Sequence, residues 1–481
     1  MKLYPTRGTW CLSFGINSVL TWDFRGITQN PVRITVSSPN GTKNRYLEIQ
    51  PSALEALRSL RLPTKRRTLW IDAICIDQKN KDEKFVHVPN MWWIYTHATQ
   101  TLIWLGAESD DSGIAMDSLR NLASQVILFQ GGGTGPSPGA RDAMLYKKPY
   151  LSSTAWDAVC NLLSRRYFDR LWVISEIAMA RWRAKVICGR HEMALLDLRT
   201  AVNCLMNSSS TLQGDAFNVL MNVETMTYPL ARLSLSNILS VYRQYVCSEP
   251  QDMVYGLLSL ASSELRRKIT EDSELLAKDV YRKTYLLLEK HYHRVDFLQD
   301  CRLDLKIPDG PSWVPNLEKH YGYLSPYGFC SGLSRSHIRV KDLDSIEVLG
   351  VRCCTVAATG SVFGAKADPM PQLRLWYNMV QDLTTLTQEA MNDAFLRTIF
   401  LDRTRERNPD PGPKSLESIK EMLLPHLAGT DSDEDIANMN LLTQLRGMLN
   451  GRDIIFTSEG HFGLGPGISQ PGKQDQNMNG R

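Results

Sequence analysis

Hydrophobic positions along the chain follow two periods, and the switches between them mark the elements. Residues 1–45 mix Trp, Gly, Asn and Pro with no clear period. Order begins at Tyr46-Leu47-Glu48-Ile49, a short strand. Ser52 to Leu60 then reads as an amphipathic helix: Ser52 stands ready to cap, Glu55 follows three residues on, and Ala53, Leu54, Leu57 and Leu60 share a face. Thr68-Leu69-Trp70-Ile71-Asp72-Ala73-Ile74-Cys75-Ile76 is apolar on both alternating faces apart from one carboxylate, the pattern of a central parallel strand covered by helices on each side. Val88, Met91, Tyr95 and Ala98 fall at i, i+3, i+7 and i+10, a single helical stripe. Thr101 to Gly106 is a second buried strand, so strand, helix and strand in this order predict a right-handed βαβ unit.

Further along, Gln130 to Gly139 contains no core-forming residue and reads as a flexible surface insertion. Helices are expected over Thr154 to Arg165 and Arg170 to Ala180, and a strand over Ala184 to Gly189. Leu195 to His293 is mainly helical, most clearly from Ser273 to Tyr292. Alternation returns from Ile338 to Phe363, helices occupy about Pro371 to Leu449, and Ile454 to Leu464 closes as a hairpin. No internal repeat is present. The fold class predicted is α/β, a mostly parallel sheet flanked by helices, followed by a mixed α+β C-terminal region.

Composition narrows the function classes. The chain has 481 residues, 43% hydrophobic and 22% charged, and 55 Lys+Arg against 51 Asp+Glu leave a net charge of +4. Disorder is excluded, and at about 150 residues per domain the length allows two or three units. So balanced a charge, with no basic run longer than Lys65-Arg66-Arg67, argues against nucleic acid as a partner. No window reaches the roughly 18 uninterrupted apolar residues of a membrane span, and Met1 to Arg7 leads into no apolar signal core, so a cytoplasmic protein is expected.

The ten cysteines are scattered without C-x-x-C or Cys/His spacing. No metal site is therefore expected, and most are read as reduced core thiols. Gly467 to Lys473 matches phosphate-loop spacing, but Gln474 replaces the magnesium-ligating hydroxyl. With no dinucleotide loop, nucleophile elbow or H-E-x-x-H, no cofactor is expected. Two sequons, at Asn40 and Asn207, carry no meaning without a secretory signal.

Two carboxylates stand where apolar side chains belong. In strand phase Asp72 shares a face with Trp70, Ile74 and Ile76, so burying that face buries a charge that needs a partner. A structural ion pair with Arg165, Arg166 or Arg170 meets the need, and so does a catalytic role. Glu176 lies in Leu171-Trp172-Val173-Ile174-Ser175-Glu176-Ile177-Ala178-Met179-Ala180. Its i±3 and i±4 neighbours are Val173, Met179, Trp172 and Ala180, so no cation of the same helix neutralises it. Either its counter-charge comes from elsewhere in the fold or burial raises its pKa, as in carboxyls tuned for acid–base work. Cys75 is read as an inert core thiol rather than a nucleophile, although His87 and His97 follow on the next helix. Trp104, Trp172 and Tyr95 are read as packing residues.

These same segments closely resemble the fungal heterokaryon incompatibility (HET) domain. The resemblance runs through Leu69 to Gln78, with Trp70, Asp72, Cys75 and Gln78. It continues through Glu83 to Ala98, with Met91 and Tyr95, and Ile103-Trp104-Leu105-Gly106, to Phe168-Asp169-Arg170-Leu171-Trp172-Val173-Ile174-Ser175-Glu176. Shorter echoes are Pro250 to Leu257, with Asp252 and Tyr255, Pro311 to Pro315, and Gly460 to Gly465. The sequence departs from the family pattern at Asp77 (usually Asn), Ser175 (Gln) and Gln251 (Arg), and Cys11 to Gly15 keeps only fragments of the family's opening block.

By this resemblance residues 1–45 are a divergent first segment of the domain, 46–190 its core, and 195–481 a helical, then α+β, C-terminal extension. The resemblance implies a part in non-self recognition after hyphal fusion, as effector or trigger of programmed cell death, acting through a homotypic or heterotypic protein partner. It also implies a likeness to Toll/interleukin-1-receptor (TIR) domains, some of which cleave NAD with a helical glutamate. On that alternative Glu176 is catalytic, with Asp72 as supporting carboxylate.

Overall fold

The computed structural model describes residues 21–23, 32–37, 45–62, 64, 67, 69–77, 80, 83, 87, 90–109, 111–129, 134–141, 151–208, 215–227, 233–270, 272, 274–301, 305–319, 335–351, 354–364, 369–402, 404, 415–429 and 440–467. Three antiparallel strands come first, β1 (Thr21–Asp23), β2 (Val32–Ser37) and β3 (Arg45–Ile49). Helix α1 (Pro51–Leu60) follows and buries Leu54, Leu57 and Leu60, the face its spacing predicts. Its start differs from expectation. Pro51 occupies the first turn, where its missing N–H is no loss, and no side chain caps the helix.

The main departure falls within the strand expected at 68–76: over its described residues, 69–76, no strand forms. Asp72–Cys75 is a single helical turn, α2, closed by Ile74 N–H and Cys75 N–H on the Ile71 carbonyl at 3.0 and 2.8 Å. Asp72 Oδ1 accepts from the Ala73 amide at 2.7 Å, the local side-chain-to-backbone bond that favours a turn over a ladder. A short apolar run suits a buried helical turn as well as a buried strand, and the carboxylate decides between them. Helix α3 (Met91–His97) carries the predicted stripe with Met91 buried.

Strand β4 (Thr101–Trp104) then enters the interior, followed by α4 (Ser112–Gln125). The hairpin β5 (Val126–Leu128) and β6 (Thr134–Pro136) occupies part of the expected loop at 130–139. Next come α5 (Ser153–Leu163), α6 (Leu171–Ala180), β7 (Ala184–Cys188) and β8 (His191–Ala194). β4 pairs in parallel with β7, Thr101 opposite Ala184, and β7 pairs antiparallel with β8. Among the named strands this is the one parallel pair, so the sheet is not mostly parallel: the chain is mixed α/β with small sheets. The missing strand at 68–76 removes the member that would have extended it.

Arg165 and two glycines fix the carboxyl end of β4. Arg165 Nη1 donates to the Leu105 and Ala107 carbonyls at 2.8 and 3.1 Å, and its Nη2 to Ser109 Oγ at 3.0 Å. Gly106, at φ 113°, turns the chain, and Gly189, at φ 53°, packs so closely that a Cβ there would lie 2.5 Å from Glu108 Cβ. Around this sheet one large core runs from Ile103 through Leu171, Ile174, Tyr242 and Tyr281 to Ile346. It takes in α7 (Leu195–Ser208), α8 (Asp215–Thr227), α9 (Leu235–Tyr242), α10 (Asp252–Tyr255), α11 (Ser263–Lys268) and α12 (Ala277–Tyr292).

A second core, from Phe363 to Phe456 about Trp376 and Phe395, is built, among the described residues, from four helices and a three-stranded antiparallel sheet. The sheet ends on the expected hairpin, here Arg452–Thr457 with Phe462–Pro466. The seven described cysteines, Cys75 among them, are free thiols. No helix of the described residues is long and apolar enough to cross a membrane.

Gly189→Ala adds a side chain at a left-handed backbone position and against Glu108, and should lower stability by about 2 kcal/mol. An unchanged urea midpoint would show that this corner is not held as described.

Candidate functional site

Helix α6 is apolar almost throughout, and its neighbours decide which side chains stay accessible. Leu171, Val173, Ile174, Ser175, Ile177 and Ala180 are buried, which leaves Ala178 and, along one side, Trp172, Glu176 and Met179 half-buried. Helix α3 packs against α6. Thr96 Oγ1 lies 3.5 Å from Met179 Sδ, and Arg183 Nη2 donates to the Thr96 carbonyl at 2.5 Å. This docking delivers Tyr95 to Glu176, and the Tyr95 hydroxyl donates to the carboxylate. Trp70 meets the Tyr95 ring edge-on at 5.8 Å between centroids.

The electrostatics centre on Glu176. Burial and the nearby Asp72 charge push its pKa up from 4.5 to about 7, partly opposed by the Arg170 guanidinium and the Tyr95 hydrogen bond. Tyr95 is held well above the ordinary phenol value by burial, then by the Glu176 and Asp72 charges. Tyr167 is likewise raised by burial and by Glu176. Its buried hydroxyl has no hydrogen-bond partner among the described residues, and nor does the Trp104 indole N–H. A carboxyl that titrates near neutrality beside two un-ionised phenols can accept or release a proton at little cost. Cys75 is shifted in the same direction: burial raises its thiol and Asp72 raises it further, against a lowering backbone hydrogen bond at Ile71, so it is a poor nucleophile.

The structure thus gathers Trp70, Asp72, Tyr95, Arg170 and Glu176 about one point, from the turn α2, helix α3 and the start of α6. It joins a second pair, since the Trp172 indole donates to Asp252 Oδ2 at 3.2 Å. Other motif residues serve elsewhere. Met91 is core, Trp104 and Gly106 sit at the end of β4, and the Tyr255 hydroxyl accepts from the Asp272 amide at 3.1 Å. Gln78 lies outside the described residues. Of the arginines weighed as partners for Asp72, Arg165 is spent on the β4 end, whereas Arg170 acts on the cluster.

Tyr95, expected as a packing residue, thus contacts the carboxylate, and Tyr167 joins it from outside the expected site. Their only local signal is an aromatic hydroxyl beside an apolar helix, which does not announce a distant carboxylate. Among the described residues no group of three or more His, Cys, Asp or Glu side chains is placed to hold a metal ion.

Comparison with known proteins converges on the same segments. Residues 21–176 match the family model described as "Heterokaryon incompatibility protein (HET)", a match that ends on Glu176 itself. Across 553 aligned positions, covering 89% of this chain and 79% of the relative, the sequence is 24% identical to "Heterokaryon incompatibility protein 6, OR allele" of Neurospora crassa. No solved structure gives a significant match.

A pH dependence follows from Glu176. Because its folded pKa of about 7 exceeds the ordinary 4.5, folding is favoured by protonation. The contribution is complete below about 4.5 and is lost as pH rises through 7. Glu176→Gln, which still accepts from Tyr95, should therefore be more stable than wild type at pH 8 by roughly 2 kcal/mol and nearly equal to it at pH 4.5. Thermal melts of both proteins across this range check it, and a pH-independent difference would refute the assignment.

Proposed function

Because the chain carries a HET domain over residues 21–176, we propose that it acts in heterokaryon incompatibility, as an effector or trigger of programmed cell death in non-self recognition. The observation that carries this reading is the coincidence of the matched segment with the Asp72–Tyr95–Glu176 cluster. The extended similarity to an incompatibility protein of Neurospora crassa supports it. On this reading the domain works in the cytoplasm and signals by assembling with a second copy or with another protein.

One observation favours a second, enzymatic reading. Glu176 titrates at about 7 next to a hydrogen-bonded phenol, which suits a group that stabilises a developing cation or orients water. In such a reaction water would replace nicotinamide at the ribose carbon of NAD, giving ADP-ribose, nicotinamide and a proton. Glu176 would face the oxocarbenium-like centre as the glycosidic bond breaks.

Expression of the wild type and of Glu176→Gln in a fungal host, reading growth and cellular NAD together, separates the two. The assembly reading predicts growth arrest with NAD unchanged. The enzymatic reading predicts NAD loss that Glu176→Gln slows by about a hundredfold or more. Normal growth of cells that accumulate the folded wild-type chain together with its co-expressed incompatible partner would contradict both.

A further inference from the structure

The segment 250–266 lies beyond the residues matched by the family model, yet it holds the two helices that bring Glu176 and Tyr95 together. Its first contacts are with α6. The Trp172 indole donates to Asp252 Oδ2 at 3.2 Å, the Ser175 hydroxyl donates to the Gly256 carbonyl, and Ser259 Oγ donates to Ser175 Oγ at 2.6 Å. Gly256 permits the approach, since a Cβ there would stand 2.9 Å from the Asp252 carbonyl oxygen and 3.1 Å from Leu171 Cδ2. Trp172 and Ser175 lie one turn and one residue before Glu176, so these bonds fix how far α6 is rotated about its axis.

The same segment then reaches α3. Arg266 Nη1 donates to the Ser259 carbonyl at 2.8 Å, and its guanidinium lies 4.4 Å from the centre of the Trp92 ring. Trp92 precedes Tyr95 by three residues and so shares its side of the helix. A continuous set of contacts therefore runs from Trp172 and Ser175 on α6, through Asp252, Ser259 and Arg266, to Trp92 on α3. The sequence marks only part of it, in Pro250 to Leu257. Ser259 and Arg266 lie outside every motif.

We propose that Asp252, Ser259 and Arg266 are positioning residues of the HET-domain site. They hold α6 and α3 in the register that sets Glu176 against Tyr95 and Asp72, so the working unit extends through Arg266 instead of ending at Glu176. The proposal rests on reading the Glu176 cluster as the functional site. Its physical basis is that a half-buried carboxyl stays crowded by a like charge and poorly hydrated only while its helix cannot rotate or part from its neighbour to admit more water. Core packing alone resists separation, whereas directional bonds to Trp172 and Ser175 also resist rotation.

The test uses the full chain labelled with ¹³C at the glutamate carboxyls, with the Glu176 signal identified by its loss in Glu176→Gln. Asp252→Ala and Arg266→Met should each lower the Glu176 titration midpoint by about one unit, a tenfold change in proton affinity. Asp252→Asn keeps an acceptor for Trp172 while removing the charge, and should restore the wild-type midpoint. That result distinguishes positioning from simple loss of a carboxylate. Where Asp252→Ala does not fold, Ser259→Ala gives the smaller lesion and the same direction of shift.

Variants that lose thermal stability but keep the wild-type midpoint would overturn the proposal and leave these residues with a structural role alone. So would Asp252→Asn matching Asp252→Ala. The midpoint is read on the protein itself, so it is independent of whether Glu176→Gln alters growth or NAD, and failure of the functional reading is seen separately.

Discussion

A carboxyl group half-buried among apolar side chains beside a second carboxylate is expensive, and the arrangement around Glu176 is organised by that cost. Water would stabilise both charges, and the packing of α3 on α6 limits its access without closing it, since Asp72 and Glu176 both stay half-buried. At Glu176 the Tyr95 hydroxyl and the Arg170 guanidinium offset the burial and the Asp72 repulsion only in part. The unpaid remainder appears as a proton held until about pH 7. A residue kept at such a cost in stability is a poor structural device, because a neutral side chain would serve packing better. That asymmetry is why the cluster reads as functional.

The rest of the domain can be understood as the means of holding this point. The parallel β4–β7 pair and the Arg165 bonds fix the sheet end, and the large core fixes the inner face of α6. Contacts from Asp252 and Ser259 hold Trp172 and Ser175 of α6, and Arg266 links Ser259 to Trp92 of α3. The turn α2 brings Asp72 in through a local side-chain-to-backbone bond, so that one short helical turn presents both the repelling charge and the raised Cys75 thiol. The consequence is a site assembled from segments some 190 residues apart, from Asp72 to Arg266, in which proton occupancy and the docking of two helices depend on one another.

Much of this was legible in the sequence where one local feature decided it. Glu176 stood out because no cation occupied its helical neighbours, and the helices at 154–165 and 170–180 matched their periodicity closely. The strand expected at 68–76 failed because a short apolar run fits both a buried strand and a buried turn, and Asp72 favoured the turn by bonding its neighbour's amide. With that strand gone, the mostly parallel sheet became a set of small sheets with one parallel pair. Tyr167 and Ser259 were not legible because their roles come from contacts across the fold. No spacing along the chain encodes that Ser259 will meet Ser175.

Asp72 and Glu176 form one electrostatic unit. The most direct measurement is a double-mutant cycle of Asp72→Asn and Glu176→Gln, with unfolding free energies taken at pH 8, above the Glu176 midpoint of about 7. Each single substitution relieves the same repulsion, so the double variant should gain less than the sum of the singles, with a coupling of about 1 kcal/mol that fades toward pH 5. Additive effects at pH 8, with no change on acidification, would contradict it.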